Sequence, residues 1–199
     1  MARKKTKKRK TVRRKKKTLP RIPEVEIRPD QILLHERTIL LFDEITQERA
    51  YKVVQQLIAL DKIDSKDPIL LVINSPGGSV SDGFAIIDAM KGIRSSVITM
   101  ITGEACSMAG IISIAGDHRI MSSTAVWMAH NMRAGIIDYV EKIKDRAKFY
   151  SWYEDKCTDF LKAHTKLSRA DITKAINGEL WLDAQKALEK GVVDKVVGK

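Results

Sequence analysis

Ser107 stands in GEACSMAG, residues 103–110, a lone hydroxyl among small residues between the apolar runs VITMI (97–101) and IISIAG (111–116). A serine at the first turn of a helix can act as a nucleophile. The helix N-terminus stabilises developing negative charge, and the Met108 N–H faces the place where an oxyanion forms. A helix-capping serine has the same local signature. The flanking Gly103 and Gly110 do not have the offsets of a G-x-S-x-G elbow. Upstream, INSPGGSV (73–80) ends an apolar run, stiffens at Pro76 and places Gly77 and Gly78 directly before a helical pattern. Glycine leaves backbone N–H groups uncovered, and such amides can hold an oxyanion. A plain strand-to-helix turn reads the same way.

Four histidines could take the serine proton. His35 and His164 sit in charged surroundings and read as solvated, and His118 lies in the turn GDHR. His130 ends the strand pattern AVWMAH, where a side chain emerges at a sheet edge and can reach a serine on a neighbouring helix start. A strand-end polar residue is its plain structural reading. An imidazole base also needs a carboxylate to fix its tautomer. Glu179, in NGELWLDAQKAL, and Asp183, four residues on, are the candidates; Asp183 is equally explained as the N-cap of 184–189. Cys106, beside alanine-sized neighbours, reads as a small buried hydrophobe. Cys106 and Cys157 make neither a disulfide framework nor a metal-ligand spacing. Acyl-transfer chemistry of this kind needs no metal or cofactor.

These groups must be positioned by an alternating array of elements. TILLF (38–42) reads as a buried strand, and 45–61 spaces Ala50, Val53, Val54, Leu57, Ile58 and Leu60 on one helix face. DPILLVINSPGG (67–78) reads as a strand ending in the glycine turn. A helix over 79–93 turns Val80, Phe84, Ile87 and Met90 inward, and a strand covers 96–101. A helix from about Ser107 to Ile114 follows, then strands at 118–122 and 125–130. A long amphipathic helix over 137–163 carries Tyr139, Ile143, Phe149, Trp152, Tyr153 and Phe160. Ser168 and Asp183 cap two short helices, and 192–197 closes with a strand. The alternation predicts an α/β domain with largely parallel pairing.

The 199 residues suit one domain with a tail. Net charge is +11, and residues 1–17 contribute twelve Lys/Arg and no acid, so the remaining chain is nearly neutral. Like-charge repulsion and few apolar groups predict a disordered tail over 1–30 and a folded domain over 31–199. Residues 3–17 suit non-specific phosphate contacts, but they lack aromatics for base stacking. No apolar run is long enough to span a membrane. The N-terminus lacks the apolar stretch of a secretory signal, so the cytoplasm is the expected location.

Four segments, HERTILLF (35–42), INSPGG (73–78), ACSMAG (105–110) and NGELWLDAQKALEKGVVD (177–194), together resemble the Clp protease proteolytic-subunit family, serine peptidases on a crotonase-like fold. The resemblance runs from about Ile32 to Val197. It implies repeated β-β-α units with a long protruding helix. It implies Ser107 as nucleophile, His130 as general base, and Gly78 and Met108 as oxyanion donors. The family's acid is an aspartate twelve residues before the glycine that ends the last helix. Here that glycine is Gly191, so the position is Glu179, with Asp183 the fallback. The resemblance further implies a peptide or unfolded-protein substrate, a homo-oligomer of heptameric rings that stack through the long helix, and a Clp ATPase partner. Three departures stand out: the stretch from Ser107 to His130 is two residues short, NMRAG (131–135) replaces the peptide-guiding glycines, and the axial hairpin that meets the ATPase has no match. Two other readings use the same residues. One is an acyl-CoA enzyme of crotonase-like fold using the same oxyanion hole. The other is a non-catalytic oligomeric scaffold that binds nucleic acid through its tail.

Overall fold

The computed structural model describes residues 28–198; the expected disorder of the basic tail lies almost wholly outside them. Residues 29 and 30, expected in that tail, already form the start of helix α1 (Pro29–His35), where Pro29 supplies the favoured first-turn proline. Strand β1 (Thr38–Phe42) then enters the core, and α2 (Gln47–Ile63) begins at a Thr46 side chain that accepts the Arg49 N–H. Ala50, Val53, Leu57 and Leu60 of α2 are buried as the periodicity predicts, whereas Ile58 stays largely exposed.

Strand β2 (Ile69–Ser75) alternates buried and half-covered residues and ends at the glycine turn, from which α3 (Val80–Gly92) rises behind its Ser79 cap. Strand β3 (Val97–Cys106) is longer than the apolar run suggests and runs into α4 (Met108–Ser113). Strands β4 (His118–Ser122) and β5 (Val126–His130) follow. Helix α5 (Val140–His164) starts three residues later than expected, and α6 (Arg169–Asn177) carries a full Ser168–Asp171 capping box. A further strand, β6 (Glu179–Asp183), precedes α7 (Ala184–Glu189), and β7 (Lys195–Val197) is shorter than the predicted 192–197.

Among the described residues the sheet has seven strands in the order β1–β2–β3–β4–β7, all parallel, with β5 alongside β3 and β6 antiparallel on β5. This is the α/β, crotonase-like class that the alternation and the resemblance imply. Strand β3 changes partner along its length. Ile98–Ile101 pair with β4, and Glu104–Cys106 pair with β5. At the change, Gly103 takes a positive φ of 74° against the Asn74 side chain, whose Oδ1 accepts the Glu104 N–H at 3.2 Å. A Cβ at 103 would collide with that amide. The bend thus sends one end of β3 into the main sheet and the other toward β5 and the site.

The core is continuous around β1, β2 and β3, with Ile39, Leu41, Ile69, Leu71, Ile73 and Ile101 all essentially inaccessible. Trp127 on β5 is fully buried, and its Nε1 donates to the Gly110 carbonyl at 3.2 Å, so a large apolar ring is buried with its polar atom satisfied. Helix α5 contributes only Leu161 as a fully buried residue. Its predicted stripe is divided. Tyr153 and Phe160 pack on Phe84, while Phe149 and Trp152 stack on each other about half exposed. Among the described residues, no helix is long and apolar enough to cross a membrane.

The C-terminal elements are tied down by charge. Arg119 on β4 pairs with Asp194 and donates to the carbonyls of His164 and Gly191. Lys190 donates to Asp171 at 2.7 Å; together with the Ser168 hydroxyl it pulls the Asp171 carboxyl from 3.8 to about 2. A depressed carboxyl stabilises the fold above its unfolded value and loses that contribution as pH falls through the folded one. Urea unfolding of wild type and Lys190→Met should therefore differ by about 1 kcal/mol at pH 5–7. The gap should close as pH falls from about 4 toward 2. A gap that stays constant over that range would contradict the assignment.

Candidate active site

The chemistry gathers where β3, the glycine turn and β5 meet. Ser107 follows β3 directly and precedes α4, with φ 55° and ψ −125°. A non-glycine residue rarely adopts such a backbone, and holding it costs on the order of 1–3 kcal/mol. Two contacts keep it there. The Ser107 N–H donates to the Met128 carbonyl at 2.9 Å, which extends the β3–β5 ladder through the joint. Gly77, at φ 98°, lies against the joint so closely that a Cβ would sit 2.6 Å from the Cys106 carbonyl and 2.7 Å from the Ser107 Cβ.

The Ser107 hydroxyl makes no helix-capping bond. It lies 2.8 Å from Nε2 of His130 instead. Both residues are half-buried. The register accounts for the pairing: Cys106 is opposite Met128, so the residue after β3 meets the end of β5, two positions further along. The two groups that the sequence singled out as nucleophile and base are thus brought together from positions 23 residues apart.

The two candidate amides face the same cleft. Gly78 forms a bridge with Ile45 in which Ile45 donates to the Gly77 carbonyl and Ser79 donates to the Ile45 carbonyl. That pattern leaves the Gly78 N–H without a backbone acceptor among the described residues. Met108 is the first residue of α4, where an N–H has no partner within the helix. Gly78, Ser107, Met108 and His130 all line one cleft of about 1030 Å³, whose far wall is built from α5 and α6.

The carboxylate candidates separate clearly. Strand β6 pairs antiparallel with β5 so that Glu179 is opposite His130 and Asp183 is opposite Val126, at the other end of the strand. Asp183 accepts the Lys186 N–H as the cap of α7 and pairs with the Lys186 ammonium, which hold its carboxyl below the ordinary range. Asp183 as fallback acid is therefore corrected: register carries it away from the imidazole. Glu179 lies beside the histidine, but its Oε2 accepts the Trp181 indole N–H at 2.8 Å. Among the described residues no hydrogen bond joins Glu179 to His130. The strand that sets this arrangement is legible in the alternation of ELWLD, with Leu180 and Leu182 buried. The expectation of a helix capped by Asp183 holds for α7, and the strand before it is an addition to the predicted elements.

The other histidines are dispersed. His35 is exposed at the end of α1 and His118 is exposed at the start of β4. His164, expected to be solvated, instead stacks on the Phe160 ring at 3.9 Å with Nδ1 against the Phe160 carbonyl. Glu154 on α5 also lines the cleft and has a buried Oε1 without a partner; nothing in the spacing of the long helix marked it.

A hydroxyl on an imidazole beside uncovered amides can carry out acyl transfer through a covalent intermediate. Comparison with known proteins agrees with that class. Residues 24–199 match the Clp protease family model, and the chain belongs to that family, whose members are serine peptidases. The chain is 34% identical over 174 residues to ATP-dependent Clp protease proteolytic subunit 1 of Protochlamydia amoebophila, covering 85% of this chain and 84% of that protein. It is 33% identical to subunit 1 of Chlamydia muridarum, covering 84% and 90%. It is 34% identical to subunit 3 of Rhodococcus jostii, covering 83% of each chain.

Cys106 adjoins the serine but is a poor nucleophile. Burial first, and then the Glu104 carboxylate 3.5 Å from its Sγ, push the thiol up to about 12. The native protein at pH 8 should be alkylated at Cys106 by iodoacetamide at least about 100-fold more slowly than the urea-unfolded chain, because only the thiolate reacts. Equal rates in the two states, read by mass spectrometry, would contradict the burial.

Proposed function

We propose that the chain is the peptidase subunit of a self-compartmentalised homo-oligomer and cleaves peptide or unfolded-protein substrates at Ser107. The observation that carries this reading is the 2.8 Å contact between the Ser107 hydroxyl and His130 Nε2 at a cleft lined by two uncommitted amides. In the neutral tautomer with hydrogen on Nδ1, Nε2 accepts the hydroxyl proton as Oγ attacks the peptide carbonyl. The new oxyanion receives the N–H groups of Gly78 and Met108, each worth ~3 kcal/mol in the transition state. His130 then delivers its proton to the leaving amine, and water enters by the same path to release the acyl group. Glu179, the cross-strand partner of His130, is the carboxylate placed to orient the ring and balance the imidazolium charge once it turns toward it.

The exposed Phe149–Trp152 stack on α5 gives the protein an apolar surface suited to packing between rings. That surface supports stacking through this helix, and the heptameric ring follows from the family resemblance. Relatives named as ATP-dependent Clp protease subunits support an ATPase partner. Two free cysteines fit a reducing cytoplasm. Residues 3–17 serve as a non-specific nucleic-acid contact. The acyl-CoA and scaffold readings give the serine–histidine contact no task.

Ser107→Ala should lower kcat on a fluorogenic peptide at least about 10³-fold, with the same unfolding midpoint and oligomer size as wild type. Turnover within about threefold of wild type would overturn the mechanism.

A further inference from the structure

Glu179 has two directions open to it on one face of the β5–β6 pair. Across the ladder lies His130, its direct antiparallel partner; such partners have Cβ atoms about 5 Å apart. Along its own strand, two residues on and on the same face, lies Trp181, about 7 Å away. The carboxylate takes the second direction, with Oε2 on the indole N–H at 2.8 Å. Both residues are exposed, so ordinary burial does not force the choice. The length of the glutamate side chain permits it.

We propose that Trp181 is a positioning residue for the reaction: its indole N–H holds the Glu179 carboxylate along β6, off His130 Nδ1, and the acid–imidazole contact is completed when that bond opens. This rests on the assignment of Ser107, His130 and Glu179 above. The bond competes with the contact that fixes the imidazole tautomer. Removing the indole donor while keeping an aromatic side chain therefore frees the carboxylate for the ring.

A carboxylate against the ring favours the protonated imidazole, so the effect has a pH signature. The other charged groups about the site are Glu104 on β3, Glu44 and Arg133 on the cleft rim, and Glu154 on α5. Cys106 and Cys157 have thiols raised to about 12 and about 11 and stay uncharged at neutral pH. Tyr150 and Tyr153 also face the cleft. None of these is altered by a change at Trp181, so a moved pH limb reports Glu179.

The experiment measures kcat, KM and the pH profile of kcat/KM for peptide cleavage by the assembled protein, in wild type, Trp181→Phe, Glu179→Gln and the double variant. In Trp181→Phe the acid limb should move to higher pH by about half a unit or more. Its kcat should rise about threefold, with KM within about twofold of wild type. The limb shift should vanish in the double variant. An acid limb that stays in place or moves to lower pH in Trp181→Phe would overturn the proposal, even with Glu179→Gln strongly impaired. Glu179→Gln with wild-type kcat would instead remove Glu179 from the reaction, and the proposal with it. If Trp181→Phe does not fold, Glu179→Asp is read in the same assay. It is too short to reach the indole but keeps its charge opposite His130, and it should move the limb in the same direction; an unmoved limb there counts against the proposal.

Discussion

The site depends on a strained joint between β3 and α4. Ser107 holds a left-handed φ of 55° because the β3–β5 ladder takes its N–H on one side and Gly77 fills the space on the other. A relaxed joint would let the hydroxyl cap α4, as serines at helix starts usually do. With the backbone held, the hydroxyl leaves the helix end and meets the imidazole. The energy for holding the joint comes from the core around β1, β2 and β3, whose burial is large compared with one strained residue.

The glycines at this junction have separate duties. Gly103 turns β3 from one partner strand to the other, and Gly77 admits the serine joint. Gly78 presents an amide that the Ile45 bridge leaves uncommitted. The two candidate amides come from different elements, the β2–α3 turn and the first residue of α4. Their convergence on one cleft is set by the register of β2 with β3, which shifts just before the turn, between Ile73 and Ser75.

Much of this was legible in the sequence, because the local chemistry is written in neighbouring residues. The small-residue crowd around Ser107, the SPGG turn and the strand-end His130 each announce themselves, and the alternation of elements fixes an α/β class. What was not legible depends on pairing. No local signal says that β3 divides its partners, or that the alternating stretch ELWLD pairs antiparallel with β5. Without that strand, Glu179 and Asp183 could not be told apart; with it, register alone separates them. Helix α5 starts three residues after the pattern predicts because its cap, Tyr139, offers no capping side chain to read. Serine and helix start suggested a cap at 107, and only the backbone angle and the His130 contact reveal otherwise.

The central claim is that strain at Ser107 aims its hydroxyl at a carbonyl whose oxygen falls between the Gly78 and Met108 amides. The most direct measurement is a crystal structure of the protein after reaction with a peptidyl phosphonate. The predicted result is a single covalent bond from phosphorus to Ser107 Oγ, with a phosphoryl oxygen within about 3 Å of both amide nitrogens. An adduct on any other residue, or one on Ser107 whose phosphoryl oxygens all point away from the glycine turn, would contradict the account.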